Sequence, residues 1–119
     1  MEDYVSFECA RLLREKGFDW NTDKQFNSDK IVGDYNITDR SRYPERYLDA
    51  PTLQMAMKWL REVYKIEVRV IYDNDKSSWY GACNPMCEFS QILLGFGRKC
   101  ESYEEACEAA IRYCLENLI

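Results

Sequence analysis

Residues 50–73 read APTLQMAMKWLREVYKIEVRVIYD, and the spacing of their apolar side chains changes once. Up to Tyr64 the spacing is helical. Leu53, Ala56, Met57, Leu60, Val63 and Tyr64 recur at intervals of three and four, Met55 and Trp59 form an i, i+4 pair on an adjoining face, and only Gln54, Lys58, Arg61, Glu62 and Lys65 make a polar stripe. From Ile66 the pattern alternates. Ile66, Val68, Val70 and Tyr72 fall on one side and Glu67, Arg69 and Ile71 on the other, the period of a strand with one buried face. Pro51 suits the first turn of the helix, where its missing N–H leaves nothing unsatisfied. A helix with so wide an apolar face, running directly into a half-buried strand, predicts an α+β domain with this helix at its centre.

Working outward, Asp73-Asn74-Asp75-Lys76 is turn chemistry. SSWYGAC (77–83) and CEFSQILLGFG (87–97) then read as two more strands, joined by Asn84-Pro85-Met86, with Gly81 a candidate β-bulge. The closing stretch SYEEACEAAIRYCLENLI (102–119) opens with the capping box Ser102-Tyr103-Glu104-Glu105. Its Tyr103, Ala106, Cys107, Ala110, Ile111, Cys114 and Leu118 form an apolar face suited to lie across a sheet, the small Ala and Cys side chains allowing close approach.

At the other end, Ser6 is placed to cap a helix through Phe7, Cys9, Leu12 and Leu13, with Val5 and Ala10 as a hydrophobic staple. Gly17 then supplies a left-handed stop, and Phe18 packs back on Leu13. Residues 19–50 are polar and turn-rich yet carry many aromatics, so a short hairpin or strand is expected around 30–38 in place of a structureless loop, which is uncommon at this length in a compact domain. The reading is a single α+β domain of order α, irregular, α, β, β, β, α. Its core is a three-stranded antiparallel sheet packed by helices on one face, with the 30–38 segment a candidate added edge strand.

Composition sets the bounds. A chain of 119 residues with 46% hydrophobic and 31% charged residues has the balance of one globular domain, able to remove roughly 65% of its unfolded surface from water. No apolar run reaches membrane-spanning length. Glu2, Asp3, Glu8, Arg11, Arg14 and Glu15 break any secretory leader pattern at the N-terminus, which points to a cytoplasmic protein with its six cysteines reduced. The net charge of −5 argues against a polyanionic partner.

The chain has no histidine, which removes Ser-His-Asp and Cys-His catalysis and the usual general base near neutral pH. Cys83 and Cys87, with Cys100 and Cys107, have only a loose zinc-ligand spacing, and Cys107 is committed to the core face. Alternatively Cys83 and Cys87 face each other across the hairpin as thiols or as a disulfide. Asp19-Trp20-Asn21-Thr22-Asp23 begins like a calcium loop, but Lys24 and Lys30 occupy the positions that want Gly and a bidentate Glu. No phosphate-cradling glycine motif is present. The expectation is therefore no catalytic, cofactor or metal site.

The last five elements follow the order of double-stranded RNA-binding domains. Where those domains hold phosphate, however, this chain has Glu101, Glu104, Glu105 and Asp73-Asn74-Asp75-Lys76. The strand, hairpin and Ser-x-Glu-Glu-Ala helix look like those of HicB-type antitoxins, whose short sheet carries one similar helix. A closer resemblance lies in YVSFECARLLREKGFD (4–19), APTLQMAMKWLREVYKI (50–66) and SYEEACEAAIRYCLENLI (102–119). These look like three recurring blocks in a family of short proteins from gut Bacteroidales bacteria and their phages or mobile elements. That resemblance implies a cytoplasmic, mobile-element setting and brings no activity, cofactor or catalytic residue to any position.

Surplus aromatics without a catalytic constellation point to a small accessory or adaptor protein acting by protein–protein interaction. The open sheet face and the 19–50 region, with Trp20, Phe26, Tyr35, Tyr43 and Tyr47, are the candidate interaction surfaces. For those aromatics, docking the region onto the domain is the favoured reading and an exposed recognition surface the alternative, since buried aromatics dominate cores. The alternatives are a nucleic-acid-binding or antitoxin-like regulatory module, and an enzyme using Cys83 or Cys87.

Overall fold

A computed structural model describes residues 3–27, 29–34, 48–75, 77–85, 92–93 and 100–119. Among them the helices are α1 (Phe7–Glu15), α2 (Leu53–Val63) and α3 (Tyr103–Tyr113), the last continued by a π-helical segment, Cys114–Leu118. The strands are β1 (Lys24–Phe26), β2 (Val32–Asp34), β3 (Leu48–Asp49), β4 (Ile66–Asp73), β5 (Ser78–Pro85) and β6 (Ile92–Leu93). The fold is α+β, as the pattern of residues 50–73 requires.

β4, β5 and β6 form the expected antiparallel three-stranded sheet. Its longest ladder runs unbroken from Ile66↔Pro85 to Asp73↔Ser78. That register corrects the expectation of a bulge at Gly81, which pairs in step with Val70. What Gly81 provides is room: a Cβ there would stand 2.7 Å from Ala110 Cβ and 2.9 Å from the Ala106 carbonyl oxygen. α3 therefore lies on the sheet at backbone contact, and α2 packs beside it on β4. Between these layers Ala106, Cys107, Ala110, Ile111 and Cys114 are each wholly buried.

The added edge strand takes a different place. β2 does not join β4–β6 but pairs with β1, which also pairs with β3, in a second small sheet of order β2-β1-β3. Phe26 draws this sheet toward α1, because its ring meets the Phe7 ring edge-on with centroids 5.5 Å apart. In the middle strand, Gln25 and Phe26 are both buried.

The helix ends follow their sequence signals closely. Ser6 Oγ accepts from Cys9 N at 3.2 Å. At the other end of α1, Gly17 (φ +96°) lets Phe18 N donate to Leu13 O at 2.9 Å and Gly17 N donate to Arg14 O at 3.1 Å, the paired bonds of a Schellman ending. Pro51 is a correction, since it precedes the cap rather than opening the helix. Thr52 is the cap of α2, its Oγ1 accepting from Met55 N at 3.1 Å. Leu53 N is satisfied by Asp3 O, and Pro51 O by Val5 N, so the segment before α1 is paired with the segment before α2.

α2 ends without the glycine that such a stop prefers. Lys65, the residue after its cap Tyr64, sits at φ 58°, a conformation that costs a side-chain-bearing residue about 1 kcal/mol or more. Lys65→Gly is therefore expected to raise stability by about 1 kcal/mol, less the small loss of the bond from Lys65 Nζ to Glu62 O. Urea midpoints of the two proteins at equal m-value measure it.

Candidate interaction surface

The residues singled out from sequence divide. Phe26 is only 4% exposed. It serves the core, which corrects its assignment to a recognition surface. Trp20 is half-buried, its ring 6.3 Å from that of Phe18. Phe18 in turn meets Trp59 at 5.5 Å, and Trp59 meets Tyr64 at 5.1 Å. The Tyr64 hydroxyl donates to Lys16 O at 2.7 Å, closing this aromatic row over the ends of α1 and α2. Tyr35, Tyr43 and Tyr47 lie outside the described residues.

A second aromatic group was not foreseen. Tyr72, expected to face the core with Val68 and Val70, is 43% exposed. It leans on its cross-strand neighbour Trp79 with ring centroids 5.0 Å apart. Trp79 meets Tyr103 edge-on at 5.6 Å, and the Tyr103 hydroxyl accepts from Gln54 Nε2 at 3.1 Å. The ladder thus runs from solvent, across the hairpin end of the sheet, to the first turns of α3 and α2. Its one sequence signal was the aromatic end of each strand, because α3 covers the middle of the sheet and begins where these rings stand.

Acidic groups follow the same corner in the chain. Trp79 N donates to Cys100 O at 2.9 Å, which brings Glu101 and the capping box alongside β5. Ser102 Oγ accepts from Glu105 N, and the Glu105 carboxylate accepts from Glu101 N, both at 3.1 Å. The box thus reaches one residue further back than its usual partner. Glu101, Glu104 and Glu105 are exposed.

The thiols occupy the opposite kind of environment. Cys9, Cys83, Cys100, Cys107 and Cys114 are all buried, and none is in a disulfide. Cys83, which the sequence placed opposite Cys87 or in a thiolate cluster, has Val68 and Ile92 as cross-strand neighbours, and its sulfur lies 2.9 Å from that of Cys114. Cys87 lies outside the described residues. Among the described residues no group of three or more Cys, Asp or Glu is arranged to hold a metal ion. Lys24, which interrupts the calcium-like stretch, enters β1 and pairs with Asp34 across the hairpin.

Burial, and then the nearby Glu108 carboxylate, push the Cys9 thiol far above its ordinary range. The hydrogen bond to Cys83, and then burial, do the same for Cys114. Burial lifts Cys107 to about 11. Glu108 has a structural task as well, because its Oε1 accepts from Ser6 N at 2.9 Å, placing a carboxylate of α3 at the positive end of α1.

These thiols carry a pH signature. Unfolded, each ionises near its ordinary value of 9.0, whereas folded it keeps its proton. Their contribution is therefore complete below pH 9.0 and is lost as pH rises, through about 11 for Cys107 and beyond that for the other two. In that range each thiol should lower stability by about 1.4 kcal/mol per pH unit. Urea unfolding across the alkaline range should show this fall, and Cys107→Ala should make it shallower between pH 9.0 and about 11.

A cleft of about 150 Å³ lies between the start of α2 and the small sheet, lined by Tyr4, Thr22, Asp23, Ala50, Pro51, Thr52 and Met55. It is smaller than the roughly 300–1,000 Å³ typical of small-molecule and cofactor sites. The Thr22 hydroxyl beside it is engaged, donating to Lys24 O at 2.8 Å.

No protein-family model matches this chain, and no curated protein or solved structure shows significant similarity to it. Among the described residues, no helix is long and apolar enough to cross a membrane.

Proposed function

We propose that this chain is a small cytoplasmic accessory or adaptor protein that acts by binding another protein, and that the Tyr72–Trp79–Tyr103 corner is its contact surface. One observation carries the reading: a large aromatic side chain, Tyr72, stays 43% exposed while its ring rests tilted against a half-buried Trp79. A tyrosine held firm at its base and open to solvent along its edge gives up little conformational freedom on binding, which is why aromatic anchors dominate protein interfaces. The burial of the thiols is in keeping with a role that needs no nucleophile. The exposed Glu101, Glu104 and Glu105 next to the corner favour a protein partner over nucleic acid, whose phosphates they would repel. The resemblance of the three helical blocks to short Bacteroidales proteins supports a phage or mobile-element setting.

The test is comparative capture from the native host. Wild-type protein and Tyr72→Ala, matched for far-UV circular dichroism and urea midpoint, are crosslinked in cells and the retained proteins identified. The reading expects a partner held by the wild type and reduced at least tenfold with Tyr72→Ala. Equal retention by both proteins, or a salt-sensitive complex with nucleic acid instead, would overturn it.

A further inference from the structure

Among the described residues, two thiols from distant parts of the chain meet in the core. Cys83 on β5 and Cys114, where α3 passes into the π-helical segment, are 31 positions apart in sequence, yet their sulfurs lie 2.9 Å apart. Both residues are fully buried. The Cys114 thiol donates to the Cys83 sulfur, and the Cys83 thiol donates onward to Ala110 O at 3.4 Å. A disulfide requires about 2.05 Å between sulfurs, so less than about 1 Å of travel separates this pair from a covalent bond. The other thiols on α1 and α3 are engaged differently: Cys9 lies against the Glu108 carboxylate and Cys107 against Tyr103.

We propose that Cys83 and Cys114 are a latent disulfide site, joined when the protein meets a low-molecular-weight disulfide, and that the bond fastens α3 to the sheet. In a locally opened state one of the two thiols loses its proton to solvent. Its thiolate attacks one sulfur of the small disulfide, forming a mixed disulfide and releasing one small thiolate, which takes up a proton. The second cysteine then gives up its proton and attacks the protein sulfur of that mixed bond. The Cys83–Cys114 bond forms as the second small thiolate leaves. Two protein thiols are oxidised by two electrons, and one small disulfide is reduced to two small thiols. Because both sulfurs are buried, exchange waits on opening and is slow, so the bond records sustained oxidation rather than brief pulses.

The experiment incubates the full chain with oxidised glutathione, in buffer and in urea well below the unfolding midpoint. It reads intact mass, a peptide map of the unreduced digest, and thermal unfolding. The expected product has lost two hydrogens, carries a single crosslink between the peptides bearing Cys83 and Cys114, and forms several-fold faster in the dilute urea. It should melt higher than the reduced protein by roughly 10 °C, since the bond closes a loop of about thirty residues. Cys83→Ala and Cys114→Ser should each abolish both the crosslink and the shift. If one variant fails to fold, the other and the wild-type map decide. Thiols that remain fully alkylatable at equilibrium, a crosslink between other cysteines, or an oxidised protein that melts lower would each overturn the proposal.

Discussion

Gly81→Ala is expected to destabilise the protein by about 2–3 kcal/mol, and Gly81→Val by more. The usual explanation for a sensitive glycine does not apply, because Gly81 is not in the left-handed region and sits in an unbroken antiparallel ladder opposite Val70. The effect is one of space. A new Cβ would meet Ala110 Cβ at 2.7 Å, the Ala106 carbonyl oxygen at 2.9 Å and Ala110 Cα at 3.6 Å. Neither the oxygen nor the Cα can swing away as a long side chain would, so α3 must lift from β5 along its length. Lifting α3 would loosen Ala106, Cys107, Ala110 and Ile111 together, all wholly buried. A second substitution isolates the cause. Ala110→Gly alone should cost about 1 kcal/mol in helix propensity. In the Gly81→Ala background it removes the shorter of the two clashes, so its cost should shrink or reverse. Urea midpoints for the four proteins of this cycle give the coupling, and strict additivity would show that the two positions do not meet.

Which features the sequence revealed follows from how local their causes are. The Ser6 cap, the Gly17 stop, the α2-to-β4 change of period and the Ser102 box each depend on residues within one or two turns, and all are present. Gly81 was recognised as unusual but assigned to the wrong cause, since a bulge and a close helix contact leave the same mark in a strand. The small sheet was half legible: Phe26, Ile31 and Val32 announced order in 19–50, but nothing local says that β1 pairs with β3 rather than with β4–β6. Leu115 was left out of the apolar face drawn for α3, although it stands four residues beyond Ile111. It is buried with Cys114 in the π-helical segment Cys114–Leu118, as Ala106 is with Cys107 and Ala110 with Ile111.

The candidate surface was the least legible part, for the same reason carried further. Tyr72 continues the inward alternation of Ile66, Val68 and Val70, and only the three-dimensional position of α3 decides that the last member of the series emerges at the rim. Phe26, in a polar and turn-rich stretch, looks available in sequence and is enclosed in space by Phe7 and the small sheet. Exposure is a property of the whole fold, and a pattern within one segment reports it only where that segment's far side is open.

Trp59→Ala is expected to have the largest single effect, a loss of about 3–5 kcal/mol. That is a large share of the roughly 5–15 kcal/mol by which domains are stable. Trp59 is 1% exposed and carries two edge-on ring contacts, to Phe18 and Tyr64. Through Phe18 it supports Trp20, the first aromatic of the 19–34 stretch, so its removal should unseat that segment as well as open a cavity. Near-UV circular dichroism should lose signal beyond that of one tryptophan, and Trp59→Phe should recover part of both the signal and the stability. Trp20→Ala then separates docking from recognition along this row. If Trp20 docks its segment, the variant should lose about 1–2 kcal/mol, in proportion to a half-buried ring, and leave partner capture unchanged once folded. If Trp20 is a contact for a partner, capture should fall while the urea midpoint stays within the scatter of a surface substitution, about 0.5 kcal/mol. The ring contact with Phe18 at 6.3 Å, in line with Trp59 and Tyr64, favours the first outcome. Tyr72, with no such row behind its exposed edge beyond Trp79 and Tyr103, is the residue for which the second is expected.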